Sequence, residues 1–440
     1  MLPRFIGHSP VKRKYNELIR IFAPAMDKRV AVTGLGVISC IGHDVPTFWQ
    51  NLKAGVCGID YITEFPTDGF AVKIAGKIRN FHPEDFDIPA PFVRKQAHFT
   101  VFAMASAVQA MKDSGLVTGE NIASEDLGTI VSSGVGGFDI IMQNVKSILE
   151  EPTGKWVSPL FVPSMIADMA AGQIAIRFGA QNSCLNIQTA CATSSHSMGE
   201  AYRAIRHGYA KAMIVGGAEE AAVPIGIAGF ANSRALTTEP NPKHACLPFN
   251  KDRGGFVMAD GSAVIVLEEW EHAVARGAHI YAEMVGYGST CDAYHATAPR
   301  PDGSTQSRCI AIALEQAGFQ PGKDVLYINA HGTGTHLNDV AETNAIKLAL
   351  GEEEAHRAHI SSTKSMHGHM FGATGTAEAI ALIKALEEGI IPPTINLDNP
   401  DPECDLDYTP NKALKVQATI GISNSFGFGG HNACVAFRKV

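Results

Sequence analysis

Residues 189–195 of the chain, TACATSS, place one cysteine among small residues directly before an amphipathic helical pattern over Thr193–His207. The run Asn186–Thr189 reads as a short strand, so the segment predicts a strand that turns into a helix at Cys191. The helix dipole and free backbone N–H groups at such a turn can lower the pKa of a thiol and hold a developing oxyanion. Cys191 is therefore a candidate nucleophile in an α/β fold, with a packed core cysteine as the alternative.

Two distant segments place histidines among similarly small neighbours. Residues 329–335, NAHGTGT, follow an apolar run and put His331 at the carboxyl end of a predicted strand, where the sites of α/β proteins gather. Residues 364–369, KSMHGH, put His369 before a Gly- and Ala-rich helical pattern. One cysteine with two such histidines is the arrangement of a thiol nucleophile with imidazole partners. Either histidine alone could be structural, and His367 competes with its neighbour for the role.

Predicted strands and helices alternate along the chain, which implies a mostly parallel sheet with helices on both faces. The pattern repeats on both sides of a junction near residue 279. We expect an N-terminal half over residues 27–279 with the nucleophile and a C-terminal half over residues 280–440 with the two histidines. Residues 1–26 are basic and lack a secretory h-region, so we expect an extension outside the fold, with a transit peptide as the alternative.

Composition narrows the range of functions. A net charge of −8 disfavours a general nucleic-acid role. Nine cysteines without a CxxC pair or disulfide-like spacing indicate a reducing compartment, and we expect a cytoplasmic protein. No apolar run reaches the roughly 18–20 residues that a membrane span needs, so we expect no membrane association.

Three other site types are weakly indicated. A dinucleotide loop is disfavoured because Ser39 stands where the third glycine after Gly34 and Gly36 would be required. A zinc site is disfavoured because the spacing of His367 and His369 is poor for helical ligation and no HExxH or CxxC accompanies them. A serine nucleophile is open in principle, but the chain has no GxSxG sequence.

Four motifs together resemble the β-ketoacyl-[acyl-carrier-protein] synthases, and most closely the ketoacyl synthase II class. They are TACATSS at 189–195, NAHGTGT at 329–335, STKSMHGH at 362–369 and NSFGFGG at 424–430. The similarity runs from about Lys28 to the C-terminus. It implies an α/β thiolase-like fold with two duplicated βαβ-type halves in a five-layered α-β-α-β-α arrangement, working as a homodimer.

The resemblance also implies an activity, the decarboxylative Claisen condensation of malonyl-[acyl-carrier-protein] with a cysteine-bound acyl chain, which elongates fatty acids by two carbons. A ketosynthase subunit of a type II polyketide system is the close alternative, and a non-catalytic carrier-binding scaffold is a more distant one. Cys191 would accept the acyl group, while His331 and His369 would promote malonyl decarboxylation. Lys364 would be the family's buried ordering lysine, matched with Glu342. No metal or other cofactor is implied, because phosphopantetheine arrives on the carrier protein.

Further roles follow from matching positions. The backbone N–H groups of Cys191 and Phe428 would form the oxyanion hole, and Phe428 would gate the acyl chain within residues 427–430. His431 stands where a threonine is usual, which leaves the behaviour of this loop open. Val135 would limit acyl chain length. The other expected substrate-binding residues are Thr297, Thr333, Thr335, Phe230 and Glu342.

A carrier-docking patch is implied by Arg94, Lys95, Lys155 and Arg234, with Trp156 where a basic residue is common. Carrier docking is driven by charge. A solvated basic face without a partner is the alternative.

Overall fold

The computed structural model describes residues 27–440, so the expected extension over residues 1–26 lies outside the described part of the chain. The strands of residues 27–440 are β1 Val30–Ser39, β2 Asp60–Tyr61, β3 Ile74–Ala75, β4 Leu127–Ser132, β5 Cys184–Leu185, β6 Ala212–Glu219, β7 Gly261–Glu269, β8 Ala282–Cys291, β9 Leu326–Asn329, β10 His359–Ser361, β11 Ile390–Ile391, β12 Leu414–Lys415, β13 Ile420–Gly427 and β14 His431–Arg438.

The α-helices of the same residues are α1 Val45–Ala54, α2 Ala90–Val93, α3 His98–Ser114, α4 Phe138–Glu150, α5 Phe161–Met165, α6 Met169–Phe178, α7 Thr193–Arg206, α8 Pro224–Asn232, α9 Trp270–Ala275, α10 Ser304–Gln316, α11 His336–Leu350, α12 Glu352–Arg357, α13 Lys364–His367 and α14 Thr374–Glu388. No helix in the described range is both long enough and apolar enough to cross a membrane.

The main sheet consists of two sets of strands with the same topology. Its order is β10-β9-β13-β14-β8-β1-β7-β6-β4-β5. One set consists of β1, β4, β5, β6 and β7, and the other of β8, β9, β10, β13 and β14. When the strands of each set are numbered along the chain, strands with the same number occupy equivalent places, and the parallel and antiparallel pairings are the same in both sets. The sets meet where β1 pairs with β8 over Val30–Val32. The duplicated α/β arrangement expected from the sequence is therefore present.

Two details of the sequence prediction are wrong. The sheet is not mostly parallel, because β6 and β13 each pair antiparallel with the strand that follows, and β13 turns into β14 through a tight loop at residues 427–431. The strand expected at Asn186–Thr189 instead lies at Cys184–Leu185. The Ile187 N–H donates to the Ser132 hydroxyl rather than to a neighbouring strand, so these residues connect the sheet to the site.

The helices form layers around and between the two sets of strands. Helices α3 and α6 cover the outer face of the first set, and α10 covers that of the second, with α11 packed against α10. Helices α7 and α14 lie between the two sets. Most of α14 is buried, and it packs against α7 so closely that a side chain on Gly375 would collide with Ser195. This contact brings the N-termini of the two central helices together, and the candidate reactive residues lie just before them.

Candidate active site

The candidate nucleophile lies in a short 3₁₀ turn, Ala190–Ala192, that leads directly into α7. Cys191 is buried, and that burial raises the pKa of its thiol to about 11. The positive charge of Lys364 and the backbone N–H groups of Phe428 and Cys191 act in the opposite direction. The lowered thiol pKa expected from the sequence is therefore not the net result, because loss of solvent outweighs these favourable groups.

Both predicted histidines converge on this thiol. The Cys191 sulfur and one ring nitrogen from each of His331 and His369 lie within 4.8 Å of one another. The two imidazole rings meet edge to face, with centroids 5.5 Å apart and planes at 83°. A thiol and two imidazoles can also bind zinc, and within residues 27–440 two other clusters bring metal-binding atoms together: His98 with Asp139 and Glu220, and Glu352 with His356 and Asp405.

Neighbouring groups determine which nitrogen of His369 carries the proton. The Phe371 N–H donates to Nδ1 over 3.2 Å, and the Thr374 hydroxyl lies 3.0 Å from the same nitrogen. We therefore assign the hydrogen of the neutral ring to Nε2, which is buried and has no hydrogen-bond partner among the described residues. Burial, followed by the charge of Lys364, holds the pKa of His369 well below its usual value. The ring thus offers an unused N–H donor beside the thiol.

His331 is held in place through its backbone. The N–H groups of His331 and Gly332 donate to the two oxygens of Glu342, each over 2.8 Å, and Asn424 donates to the same carboxylate over 3.1 Å. Burial, the charge of Lys364 and the neighbouring His369 lower the pKa of His331 well below its usual value. Both imidazoles are therefore neutral around pH 7.

The predicted match between Lys364 and Glu342 is wrong. Lys364 donates instead to Glu378 on α14 over 2.5 Å, and both side chains are fully buried. Glu342 is unsuitable as a partner because backbone and amide donors already occupy it. The sequence analysis did not identify Glu378. The only signal for it in the sequence is an acidic residue on a helix face that is otherwise apolar and therefore expected to be buried.

His367 belongs to the packing around the site. Its Nδ1 lies 2.7 Å from the Gly368 carbonyl oxygen, and its Nε2 lies 3.1 Å from the Thr363 hydroxyl. Burial lowers its pKa to about 3. Because both ring nitrogens are occupied, His367 has no free group to offer a substrate.

The loop at residues 427–430 closes over the thiol. The Phe428 N–H is directed at the Cys191 sulfur, and Gly427 approaches so closely that a side chain there would lie 2.8 Å from the Thr189 carbonyl oxygen. The Phe428 ring lies beside that of Phe230, with centroids 6.3 Å apart. The ring of His431 meets the edge of His196 at 6.5 Å. Phe428 is thus positioned between the reactive cysteine and an aromatic cluster.

A cavity of about 310 Å³ leads to the reactive groups. It is lined by Cys191, His331, His369 and Phe428 together with the predicted substrate residues Thr297, Thr333 and Thr335 and the predicted docking residue Arg234. The hydroxyl oxygens of Thr333 and Thr335 lie 3.0 Å apart. The cavity is therefore a channel with hydroxyl groups on its wall and the thiol and imidazoles inside.

Val135 and Phe230 do not line this cavity. Both are half-buried against an apolar cluster that includes Phe371. Glu219, which sequence reasoning missed, accepts hydrogen bonds from the N–H groups of Gly134, Val135 and Gly372, and burial raises its pKa to about 7. One carboxyl group therefore ties the Val135 loop to the turn that follows His369.

The predicted docking residues fall into two places. Arg94, Lys95 and Trp156 line a separate cavity of about 190 Å³. The Lys155 ammonium lies 5.0 Å from the centre of the Trp156 ring. Arg234 lies apart from these residues, at the wall of the catalytic cavity.

Comparison with known proteins shows which family models and which relatives the chain matches. Residues 27–273 match the model for the N-terminal domain of β-ketoacyl synthases and residues 281–398 match that for the C-terminal domain. The chain is 47% identical over 415 residues to 3-oxoacyl-[acyl-carrier-protein] synthase 2 of Synechocystis sp., covering 94% of this chain and 98% of the relative. It is 46% identical to the protein of that name from Staphylococcus aureus (strain COL), covering 94% and 99%.

Solved structures agree with these sequence matches. The ishigamide ketosynthase/chain length factor superposes with a TM-score of 0.86 at 34% identity, covering 94% of this chain and 100% of that one. A type II polyketide synthase acyl-carrier protein in complex with its ketosynthase gives a TM-score of 0.84 at 34% identity, with the same coverages. A β-ketoacyl synthase from Burkholderia phymatum gives 0.85 at 32% identity, again with the same coverages.

Proposed function

The chain belongs to the β-ketoacyl synthase family, and we propose how its residues carry out the family's reaction. It is a condensing acyltransferase of the 3-oxoacyl-[acyl-carrier-protein] synthase 2 type, which joins a malonyl unit to an enzyme-bound acyl chain with loss of carbon dioxide. Fatty acid elongation is favoured over polyketide synthesis because the relatives at 46–47% identity are 3-oxoacyl-[acyl-carrier-protein] synthase 2 proteins, whereas the type II polyketide ketosynthase is 34% identical. The observation that supports the residue roles best is the convergence of Cys191, His331 and His369 within 4.8 Å.

The first half-reaction moves the acyl group from the carrier to Cys191. The cysteine sulfur attacks the thioester carbon, and the N–H groups of Cys191 and Phe428 stabilise the oxyanion. The bond from carbon to the carrier sulfur then breaks, and the carrier thiol takes up one proton while the Cys191 thiol has lost one. Burial raises the pKa of that thiol to about 11, so the resting cysteine is protonated and its proton is lost in the course of acyl transfer.

The second half-reaction uses the two neutral imidazoles. The Nε2–H of His369 and a ring N–H of His331 donate to the thioester oxygen of the malonyl group. The bond to the malonyl carboxylate breaks, carbon dioxide leaves, and the electron pair forms an enolate stabilised by these donors. The enolate carbon attacks the acyl carbon on Cys191, and the sulfur departs as the thiolate. Neutral imidazoles suit this step because each still has one N–H to donate. A cationic ring would also attract the malonyl carboxylate and so oppose its loss as carbon dioxide.

Substrate and carrier contacts extend this proposal. Thr297, Thr333 and Thr335 hold the phosphopantetheine arm in the cavity, and the enzyme needs no further cofactor. Arg94, Lys95 and Lys155, together with Arg234 at the wall of the catalytic cavity, attract an acidic carrier protein, because opposite charges steer such encounters. Phe230 and Val135 lie outside the catalytic cavity, and we propose that they and Phe428 form the wall of a separate acyl pocket whose depth Val135 sets.

Assembly and cellular location are also proposals. Strand β5 forms one edge of the main sheet, and both of its side chains are exposed. The exposed apolar residues Ile176 and Val162 belong to the helices α6 and α5 that precede it. An unpaired edge beside apolar residues suits pairing with a second copy, so we propose a homodimer.

All nine cysteines are free, which suits a reducing cytoplasm. We further propose that the fold divides into two halves, residues 27–279 and 280–440.

Intact-protein mass spectrometry after incubation with an acyl-carrier thioester tests the nucleophile. We expect one acyl adduct on Cys191, none on Cys191→Ala, and an unchanged adduct on Cys184→Ala, which removes an exposed cysteine. Adding malonyl-carrier should then release carbon dioxide and a product two carbons longer. An adduct on another cysteine would contradict the assignment.

A further inference from the structure

Gln306 is a buried polar residue in the wall of the catalytic cavity, and none of the roles above uses it. It lies in the first turn of α10 and is completely buried. Neither its amide nitrogen nor its amide oxygen has a hydrogen-bond partner among residues 27–440. Among the residues that line this cavity, only His331 and His369 share the property of a buried, unpartnered side-chain atom.

Such a group requires an explanation. A carboxamide has two N–H donors and an acceptor oxygen, and leaving buried polar groups unpaired is unfavourable enough that native proteins rarely do so. The unpaired nitrogens of the two histidines, Nδ1 of His331 and Nε2 of His369, are explained under the proposed function by a substrate oxygen that enters the site. The same reasoning implies that a ligand group pairs with Gln306 when the cavity is filled.

The backbone that carries Gln306 is firmly held. The hydroxyl of its neighbour Thr305 donates to Asp292. The same carboxylate accepts the Arg300 N–H over 3.0 Å and the Asn432 amide over 2.6 Å. This network fixes the start of α10 against β14, the strand that follows the loop at residues 427–430. These donors occupy the Asp292 carboxylate, which therefore has little capacity left to pair with the Gln306 amide.

We propose that Gln306 is a substrate-positioning residue that hydrogen-bonds an amide group in the arm of the incoming thioester, and thereby selects thioesters whose arm contains amides. The inference rests on the proposed function, since that function brings a thioester into this cavity. An amide is the complementary group because it offers a carbonyl to the Gln306 N–H and an N–H to the Gln306 oxygen. The side chain is uncharged and the wall around it is buried, which disfavours an ionic group at this point.

The test compares rates of Cys191 acylation by three octanoyl thioesters, measured by intact-protein mass spectrometry at subsaturating concentrations. Octanoyl-pantetheine has two amides, octanoyl-N-acetylcysteamine has one, and octanoyl-2-mercaptoethanol has none. In Gln306→Met the preference for pantetheine over mercaptoethanol should fall about tenfold or more, as loss of a buried hydrogen-bond partner predicts. The rate with the mercaptoethanol thioester should stay close to that of the unaltered protein. Gln306→Asn, which keeps the carboxamide on a shorter side chain, should retain part of the preference.

Gln316→Met is the matched control, because Gln316 lies at the exposed end of the same helix outside the cavity. It should keep the full preference. Because each preference is a ratio measured on one protein sample, partial unfolding of a variant cancels. An unchanged ratio in Gln306→Met overturns the inference, including the case where only the melting temperature falls, which would mean that Gln306 binds a buried water. If the unaltered protein is acylated by none of the thioesters, the proposed function fails instead.

Discussion

The buried ion pair of Lys364 with Glu378 can stabilise the fold and can also lower the pKa of the Cys191 thiol. Comparing Lys364→Met with a double variant that removes both charges separates these two roles. Lys364 and Glu378 are both fully buried and 2.5 Å apart. Lys364→Met leaves the Glu378 carboxyl without its cation, and removal of one partner of a buried pair costs about 3–5 kcal/mol. The double variant Lys364→Met/Glu378→Leu replaces both charges by apolar groups of similar size. It should recover most of the lost stability, because such replacements are often neutral.

Urea denaturation followed by circular dichroism measures the stabilities. Lys211→Met is the control, since Lys211 forms a pair of similar length with Asp126 at the surface. Its loss should change stability by less than about 1 kcal/mol. If Lys364→Met is as stable as the unaltered protein, or if the double variant is no more stable than Lys364→Met, the ion pair does not stabilise the fold in the way proposed.

The electrostatic role is read from alkylation of Cys191 by iodoacetamide. The charge of Lys364 opposes the effect of burial, which raises the thiol pKa to about 11. Without that charge the pKa rises further, and each unit lowers the thiolate fraction at pH 8 tenfold. The stable double variant should therefore alkylate more slowly than the unaltered protein. Equal rates would show that Lys364 acts only through packing.

Three further predictions concern the reacting groups and the acyl pocket. Alkylation of Cys191 should accelerate about tenfold per pH unit from pH 7 to 10, because the reactive thiolate becomes more abundant up to a pKa of about 11; a plateau near pH 7 would contradict the raised pKa. His331→Ala and His369→Ala should lose release of labelled carbon dioxide from malonyl-carrier far more than acylation of the cysteine, and the reverse order would contradict their roles. Val135→Phe should block long primers and spare short ones, since each excluded methylene contributes about 0.8 kcal/mol; an unchanged product profile over a primer series would exclude Val135 from the pocket.

The sequence was sufficient to predict the three candidate reactive residues that the structure brings together, and most helices and strands. Cys191, His331 and His369 could be found because small residues surround each of them at a predicted turn. The partner of Lys364 could not, because Glu342 and Glu378 both lie in helical patterns and only the packing of α14 selects between them. The net shift of the thiol pKa was also out of reach, since it depends on how completely three-dimensional packing removes solvent.

The duplicated topology explains why the nucleophile and a histidine meet. Cys191 and His369 each follow the third strand of their half. Cys191 lies within a 3₁₀ turn that opens a central helix, and His369 lies two residues before the equivalent turn. Ala190 and Phe371, the residues that start these 3₁₀ turns, have positive φ angles of 51° and 44°. Equivalent turns in two packed halves face each other across the contact between α7 and α14. The distance from thiol to imidazole is therefore determined by the packing of two buried helices, which is more rigid than a loop and suits a reaction that requires fixed donors.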